Sequence, residues 1–134
     1  MTKEYRKLLV KMFIVESLGE RIYDALRSKS KDADKKSVYA KLSVNEKETR
    51  DAIEKELESM NVPAPKLRTR CATGIADALF WTLPERSLLR LLTGILKKRA
   101  FSHWRERHNS RNPDLWTLLL EHENLQWKML DLSE

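Results

Sequence analysis

The stretch Asn112-Pro113-Asp114-Leu115-Trp116-Thr117-Leu118-Leu119-Leu120-Glu121-His122-Glu123-Asn124-Leu125-Gln126-Trp127-Lys128-Met129-Leu130 decides how this chain is read. Asn112 ahead of Pro113 marks a helix start: the amide side chain can cap free N–H groups, and proline at the first position forfeits no bond. Trp116, Leu119, Glu123, Gln126 and Leu130 then recur at alternating intervals of three and four, the seam of a helix packed in a bundle. Two residues in the middle of that seam are polar. A core carboxylate is costly unless it is paired, hydrogen-bonded or bound to metal. Glu123 and Gln126 therefore predict a polar site inside a helical core.

Two further seams carry the same interruption. The first predicted helix, 3–29 with Thr2 as N-cap, runs Tyr5, Leu9, Met12, Glu16, Gly19, Tyr23, Leu26. Gly19 either lets a neighbour approach closely or leaves room for something in the core. The second, 35–60, runs Val38, Leu42, Glu46, Thr49, Ile53, Leu57, Met60, and the run Asn61-Val62-Pro63-Ala64-Pro65 stops it. Residues 66–82 form a shorter basic amphipathic segment ending in Leu79-Phe80-Trp81. Thr82, Pro84 and Glu85 have the spacing of a capping box, opening a third long helix that extends to about residue 107. Leu88, Leu89, Leu92, Ile95 and Leu96 give that helix one apolar face. Beyond them the phase drifts, and Lys97, Arg99 and His103 compete for the inward position.

Composition agrees with an all-α fold in one domain spanning 1–134. The 134 residues include only three Gly and four Pro, and a chain of this length can bury a core of its own. The expected organisation is two helical hairpins, about 3–60 and 83–132, joined by a crossover at 61–82. Cys71 is the single cysteine, which excludes an internal disulfide and a Cys-based zinc site; its expected place is a small buried position. No apolar run reaches the length of a membrane span, and Lys11 and Glu16 break the apolar stretch near Met12, so a cytoplasmic protein without a secretory signal is expected. Net charge is +6, distributed as +2 over residues 1–62, +8 over 63–112 and −4 over 113–134. The positive region, with Arg68, Arg70, Lys98, Arg99, Arg105, Arg107 and Arg111, suits an acidic protein partner or an anionic membrane surface, if it is more than a solvated helix face. Nucleic acid is a poor candidate, because no helix-turn-helix, zinc or glycine-loop motif accompanies the charge. Phosphate-binding loops and nucleophile elbows are absent too.

The two halves share a design: Glu46 with Thr49 on the second helix matches Glu123 with Gln126 on the last. Glu16 precedes Tyr23 by seven residues, as Lys97 precedes Trp104. This arrangement resembles the ferritin-like superfamily, particularly its rubrerythrin-like and demethoxyubiquinone-hydroxylase-like members. Those proteins hold two metal ions with a Glu from each of two helices and a Glu-x-x-His pair from each of the others. Leu42-Ser43-Val44-Asn45-Glu46-Lys47-Glu48-Thr49 resembles the second-helix motif with Thr49 in place of His. Leu119-Leu120-Glu121-His122-Glu123-Asn124-Leu125-Gln126 resembles the fourth-helix motif with Gln126 in place of His. The resemblance implies an antiparallel four-helix bundle with a short extra crossover helix.

Its metal ligands would be Glu16, Glu46 and Glu123, with Gln126, Thr49 and His103 as weaker candidates. Both motif histidines are missing, and Lys97 stands at the third-helix ligand position. The expectation is therefore a degenerate di-iron site without cofactor, in which Glu16, Tyr23, Glu46, Thr49, Lys97, Glu123 and Gln126 form a polar core network, in a protein that binds or assembles. The competing expectation is a working Fe or Mn site, with hard carboxylate ligands and oxidoreductase or metal-handling activity. A homodimer is expected by analogy with ferritin-like relatives. Among the remaining residues, His122 is expected beside the seam and partly exposed, His108 at the dipole of the third helix's C-terminus, Trp104 and Trp116 in the core, and Trp81 either exposed or packed across one end.

Overall fold

The computed structural model describes residues 2–98, 104, 107–108 and 110–130. The described chain is all-helical, with no strand among these residues, and its five helices are α1 (Thr2–Lys29), α2 (Ala33–Ser59), α3 (Lys66–Thr82), α4 (Glu85–Lys98) and α5 (Pro113–Met129). Their ends follow from local chemistry. Asp32 caps α2, its Oδ1 accepting from the N–H of Asp34 at 2.8 Å. Asn112 caps α5, its Oδ1 accepting from the Leu115 N–H at 3.2 Å. Asn61 closes α2 in the left-handed region at φ 58°. The N–H groups of Asn61 and Val62 return to the carbonyls of Glu58 and Leu57, the paired bonds of a Schellman stop. The capping box expected at Thr82 and Glu85 does not form. Thr82 completes α3 and its hydroxyl donates back to the Leu79 carbonyl at 2.8 Å, while Glu85 accepts from Tyr39.

Side-chain bonds fix the direction of every helix relative to α1. The short link between α1 and α2 makes them antiparallel, and Tyr5 donates to Glu56 at 3.1 Å near one end while Ser43 donates to Asp24 at 2.7 Å nearer the other. α3 starts beside the end of α2, where Lys66 pairs with Glu54 at 3.4 Å. It then follows α1, with Asp77 3.5 Å from Arg21 and the Trp81 carbonyl accepting from Lys29 Nζ at 2.9 Å. α3 thus runs parallel to α1, carrying the chain back across the length of the hairpin. α4 begins beside Tyr39 and the chain then returns to the start of α1, where Arg107 pairs with Glu4 at 3.1 Å. α5 begins against Tyr5, which accepts from Trp116 Nε1 at 3.2 Å, and reaches Tyr23 through Gln126. With α1 taken as up, the sequence is up, down, down, up for α1, α2, α4 and α5, with α3 as the single long crossover.

Two apolar clusters lie along this bundle. One gathers Tyr5, Leu9, Met12, Phe13, Ile53, Leu57, Leu115, Trp116 and Leu119 around the N-terminal half of α1. The other gathers Ile22, Tyr23, Leu26, Tyr39, Leu42, Ala76, Phe80, Leu88, Leu92 and Leu96 around its C-terminal half. Each fully buried leucine or aromatic ring contributes about 1.5–3 kcal/mol of transfer free energy. The interval between the clusters on α1 is residues 14–21, and it is here that Glu16 and Gly19 sit. Cys71, expected inside, is exposed on the outer side of α3, because Thr73, Ala76 and Phe80 supply that helix's buried face. Trp104 and Trp116 do pack in the first cluster. No helix among the described residues is long and apolar enough to cross a membrane.

Candidate functional site: a buried polar layer

Between the two apolar clusters lies a layer of polar side chains contributed by α1, α2 and α5. Glu16, Ser17, Asn45, Glu46, Thr49 and Gln126 are all buried, with Glu16 and Glu46 each about 1 % exposed. The Oε2 atoms of Glu16, Glu46 and Glu123 are shielded from solvent, although Glu123 as a whole is only half-buried. The heptad-like seams explain the coincidence. A polar residue at the midpoint of each of three packed helices arrives at one level, since helices rise equally per residue.

Gly19 belongs to this layer for a steric reason. A Cβ at position 19 would lie 2.9 Å from Cδ of Glu46 and 3.0 and 3.2 Å from its carboxylate oxygens. What fills the room that glycine leaves is the Glu46 carboxylate itself, laid against the α1 backbone.

Hydrogen bonds tie the remaining members across helices. The Tyr23 hydroxyl donates to Gln126 Oε1 at 3.0 Å. Asn45 Nδ2 donates to the His122 carbonyl at 3.3 Å, and Thr49 Oγ1 donates to the Asn45 carbonyl at 3.0 Å. The Thr49 oxygen also lies 2.5 Å from His122 Nδ1. The ring's tautomer sets which of these two atoms donates. Nε2 faces Glu48 at 3.7 Å. Burial lowers the His122 pKa below its ordinary value, opposed by the negative charges of Glu48 and Glu16. His122 is thus part of the layer rather than a bystander on its rim. The sequence signal for it was slight: one residue from the seam, it occupies a boundary that faces α2 only once α5 has docked.

Lys97 is not a member. It is exposed, while Leu88, Leu92 and Leu96, four residues apart, are buried. The leucines set the phase of α4, and burying three of them outweighs turning one ammonium inward, which would cost several kcal/mol in desolvation. Arg99 and His103, the other candidates for the inward position, lie outside the described residues, as does Arg105.

His108 also departs from its expected place. Instead of capping a helix dipole at the surface it is buried, with its ring centroid 4.9 Å from Tyr5 and 5.9 Å from both Trp104 and Trp116. Neither ring nitrogen has a hydrogen-bond partner among the described residues. Desolvation lowers its pKa, assisted by the charges of Arg107 and Arg111 and opposed by Glu4. The basic surface is correspondingly thinner than the sequence suggests. Arg107 is paired with Glu4, and the Arg111 guanidinium lies 5.0 Å over the Tyr5 ring. Arg68 and Arg70 are exposed.

Among the described residues no group of three or more His, Cys, Asp or Glu side chains is placed to hold a metal ion. Comparison with protein-family models, with curated proteins and with solved structures gives no match.

Proposed function

We propose that this protein is a ferritin-like bundle whose di-metal site has degenerated into a hydrogen-bonded polar layer, and that it acts through binding or assembly rather than catalysis. The helix directions support the ferritin-like reading, since one long crossover between two antiparallel pairs is the connectivity of that fold. The observation that carries the functional reading is the fate of the two residues standing where the motif histidines would be. Thr49 and Gln126 are both engaged with other protein groups, Thr49 with Asn45 and His122, and Gln126 with Tyr23. A neutral hydroxyl and a neutral amide are also weak donors to iron compared with imidazole. The described residues therefore do not fit a di-iron pair.

A second reading rests on a different observation: one carboxylate oxygen from each of Glu16, Glu46 and Glu123 is shielded from solvent, although the three are not grouped as a metal site among the described residues. Such an oxygen-rich interior would suit a hard cation such as Mn²⁺. One experiment separates the two. The purified protein is incubated anaerobically with Fe²⁺ or Mn²⁺, desalted, and its metal measured by mass spectrometry. The degenerate-site reading expects metal far below one equivalent under all conditions. Near-stoichiometric metal that disappears in Glu46→Ala would overturn it and make oxygen or peroxide turnover the next assay.

A further inference from the structure

The outer face of α3 is the most apolar exposed surface among the described residues. Leu67, Ile75, Leu79 and Trp81 are 75 %, 74 %, 51 % and 80 % exposed, and Cys71, Gly74 and Ala78 lie exposed between them. Positions 67, 71, 75 and 78 fall along one side of a helix at intervals of three and four, with 79 and 81 at its two edges. It is the side opposite Thr73, Ala76 and Phe80, through which α3 is anchored to the bundle. Isolated exposed leucines are ordinary, but a contiguous stripe marks a surface that something covers.

The surrounding charge says what covers it. At 100° per residue, Arg68 and Arg70 stand about 100° to either side of the line through the buried residues, Arg70 beside Trp81 on one flank and Arg68 between Ile75 and Leu79 on the other. Asp77 is paired with Arg21. Beyond Arg68 the surface continues into a groove lined by Lys3, Arg6, Lys7, Lys11 and Arg68 over a floor of Val10 and Ile14, with no acidic side chain in it. At the other end, Lys29 holds the Trp81 carbonyl at 2.9 Å and lies 6.0 Å from the centre of its ring. A second copy docked with its α3 parallel would set arginines against arginines. A flat anionic surface with an apolar interior matches both the stripe and its basic margins.

We propose that α3 docks the protein on an anionic lipid bilayer, lying in the headgroup plane with Leu67, Cys71, Ile75 and Ala78 facing the bilayer and Leu79 and Trp81 at its two margins. Arg68, Arg70 and the α1 lysines then contact lipid phosphates, the arginine and lysine stems following their charged heads to the interface. This surface is separate from the polar layer, so the proposal does not rest on the reading of that layer. It narrows the basic region of the sequence to one helix face, and adds the lysines of α1.

The test uses the full chain and phosphatidylcholine vesicles with and without phosphatidylserine. Co-sedimentation is expected with the anionic vesicles only, weakening as salt is added. Tryptophan emission should shift to the blue on binding, and Trp81→Phe should remove most of that shift. Ile75→Glu with Leu79→Glu, both at exposed positions, should weaken binding at least about tenfold while the helical circular-dichroism spectrum is unchanged. Arg68→Glu with Arg70→Glu should weaken it comparably. Equal binding to both vesicle types, or no binding, would overturn the proposal. So would loss in the arginine variant alone with no effect of the apolar one, since that pattern is surface charge without insertion. Absence of vesicle binding together with a dimer that Ile75→Glu abolishes would give the face to a second copy instead.

Discussion

The two halves of the chain carry matching seam signatures but are built differently. In the first, α1 and α2 pack along their lengths, and the layer residues Glu16, Gly19, Glu46 and Thr49 interlock so closely that a carboxylate takes the place of a Cβ. In the second, α4 packs mainly on α1 and α5 mainly on α2. Glu123 with Gln126 follows the pattern of Glu46 with Thr49, yet the counterpart of Glu16 on α4 is an exposed lysine. The lesson is that a repeated sequence pattern fixes a helix's own stripe without fixing its neighbours. Among the described residues the first hairpin is a mutual fit, and α4 and α5 each dock onto it.

The largest test of that difference is Trp116→Ala. Trp116 is fully buried and joins α5 to α1 through its Nε1 bond to Tyr5. Its truncation should cost about 3–5 kcal/mol in denaturant unfolding. A loss below about 1 kcal/mol would mean that α5 is not docked as described.

Next come two glycines, one in each half. Gly19→Ala must displace a buried carboxylate and should destabilise by about 1–3 kcal/mol, outweighing alanine's better helix propensity. Gly94→Ala meets nothing within 4 Å and should stabilise by about 0.5–1 kcal/mol. Like signs for the two substitutions would erase the contrast between a tight first hairpin and a looser second half.

A smaller effect is expected from pH. His108 has its pKa lowered by burial, so the folded state favours the neutral ring. Its stabilising contribution is complete above the unfolded value of about 6.5 and is lost as pH falls below it. His108→Phe keeps a ring against Tyr5, Trp104 and Trp116 and removes the titration. The fall in Tm between about pH 7.5 and pH 5.5 should be smaller in this variant than in the parent. An identical fall would place the acid sensitivity elsewhere.

The smallest expected effect is at Lys97. As a surface residue, Lys97→Met should change stability by less than about 0.5 kcal/mol. A loss of several kcal/mol would return the lysine to the core and restore the symmetry between halves.

Much of this structure is present in the sequence. The helix start at Asn112, the stop at Asn61 and the packed faces of α1, α2 and α5 follow from side-chain capping, backbone preference and spacing, which act over a few residues; the cap at Asp32, ahead of the start at 35 expected for α2, was missed. The placement of Glu16, Glu46, Thr49 and Gln126 in the core was legible for the same reason: each interrupts an otherwise apolar seam.

What the sequence could not supply lies between helices. Lys97 and His122 stand one position from a seam, about 100° around the axis, where burial depends on which neighbour arrives. α4 turned its leucines inward and left Lys97 outside; α5 met α2 and enclosed His122 against Thr49. His108 entered an aromatic cage assembled from residues more than a hundred positions apart. Gly19 acquired its purpose only when Glu46 was laid over it, and the apolar stripe of α3 became a surface only because its other face was taken by the bundle. The sequence by itself determined the helices and the polarity of their midpoints, through local and periodic forces. The tertiary structure decided the partners, because long-range packing alone settles which side chain loses its water.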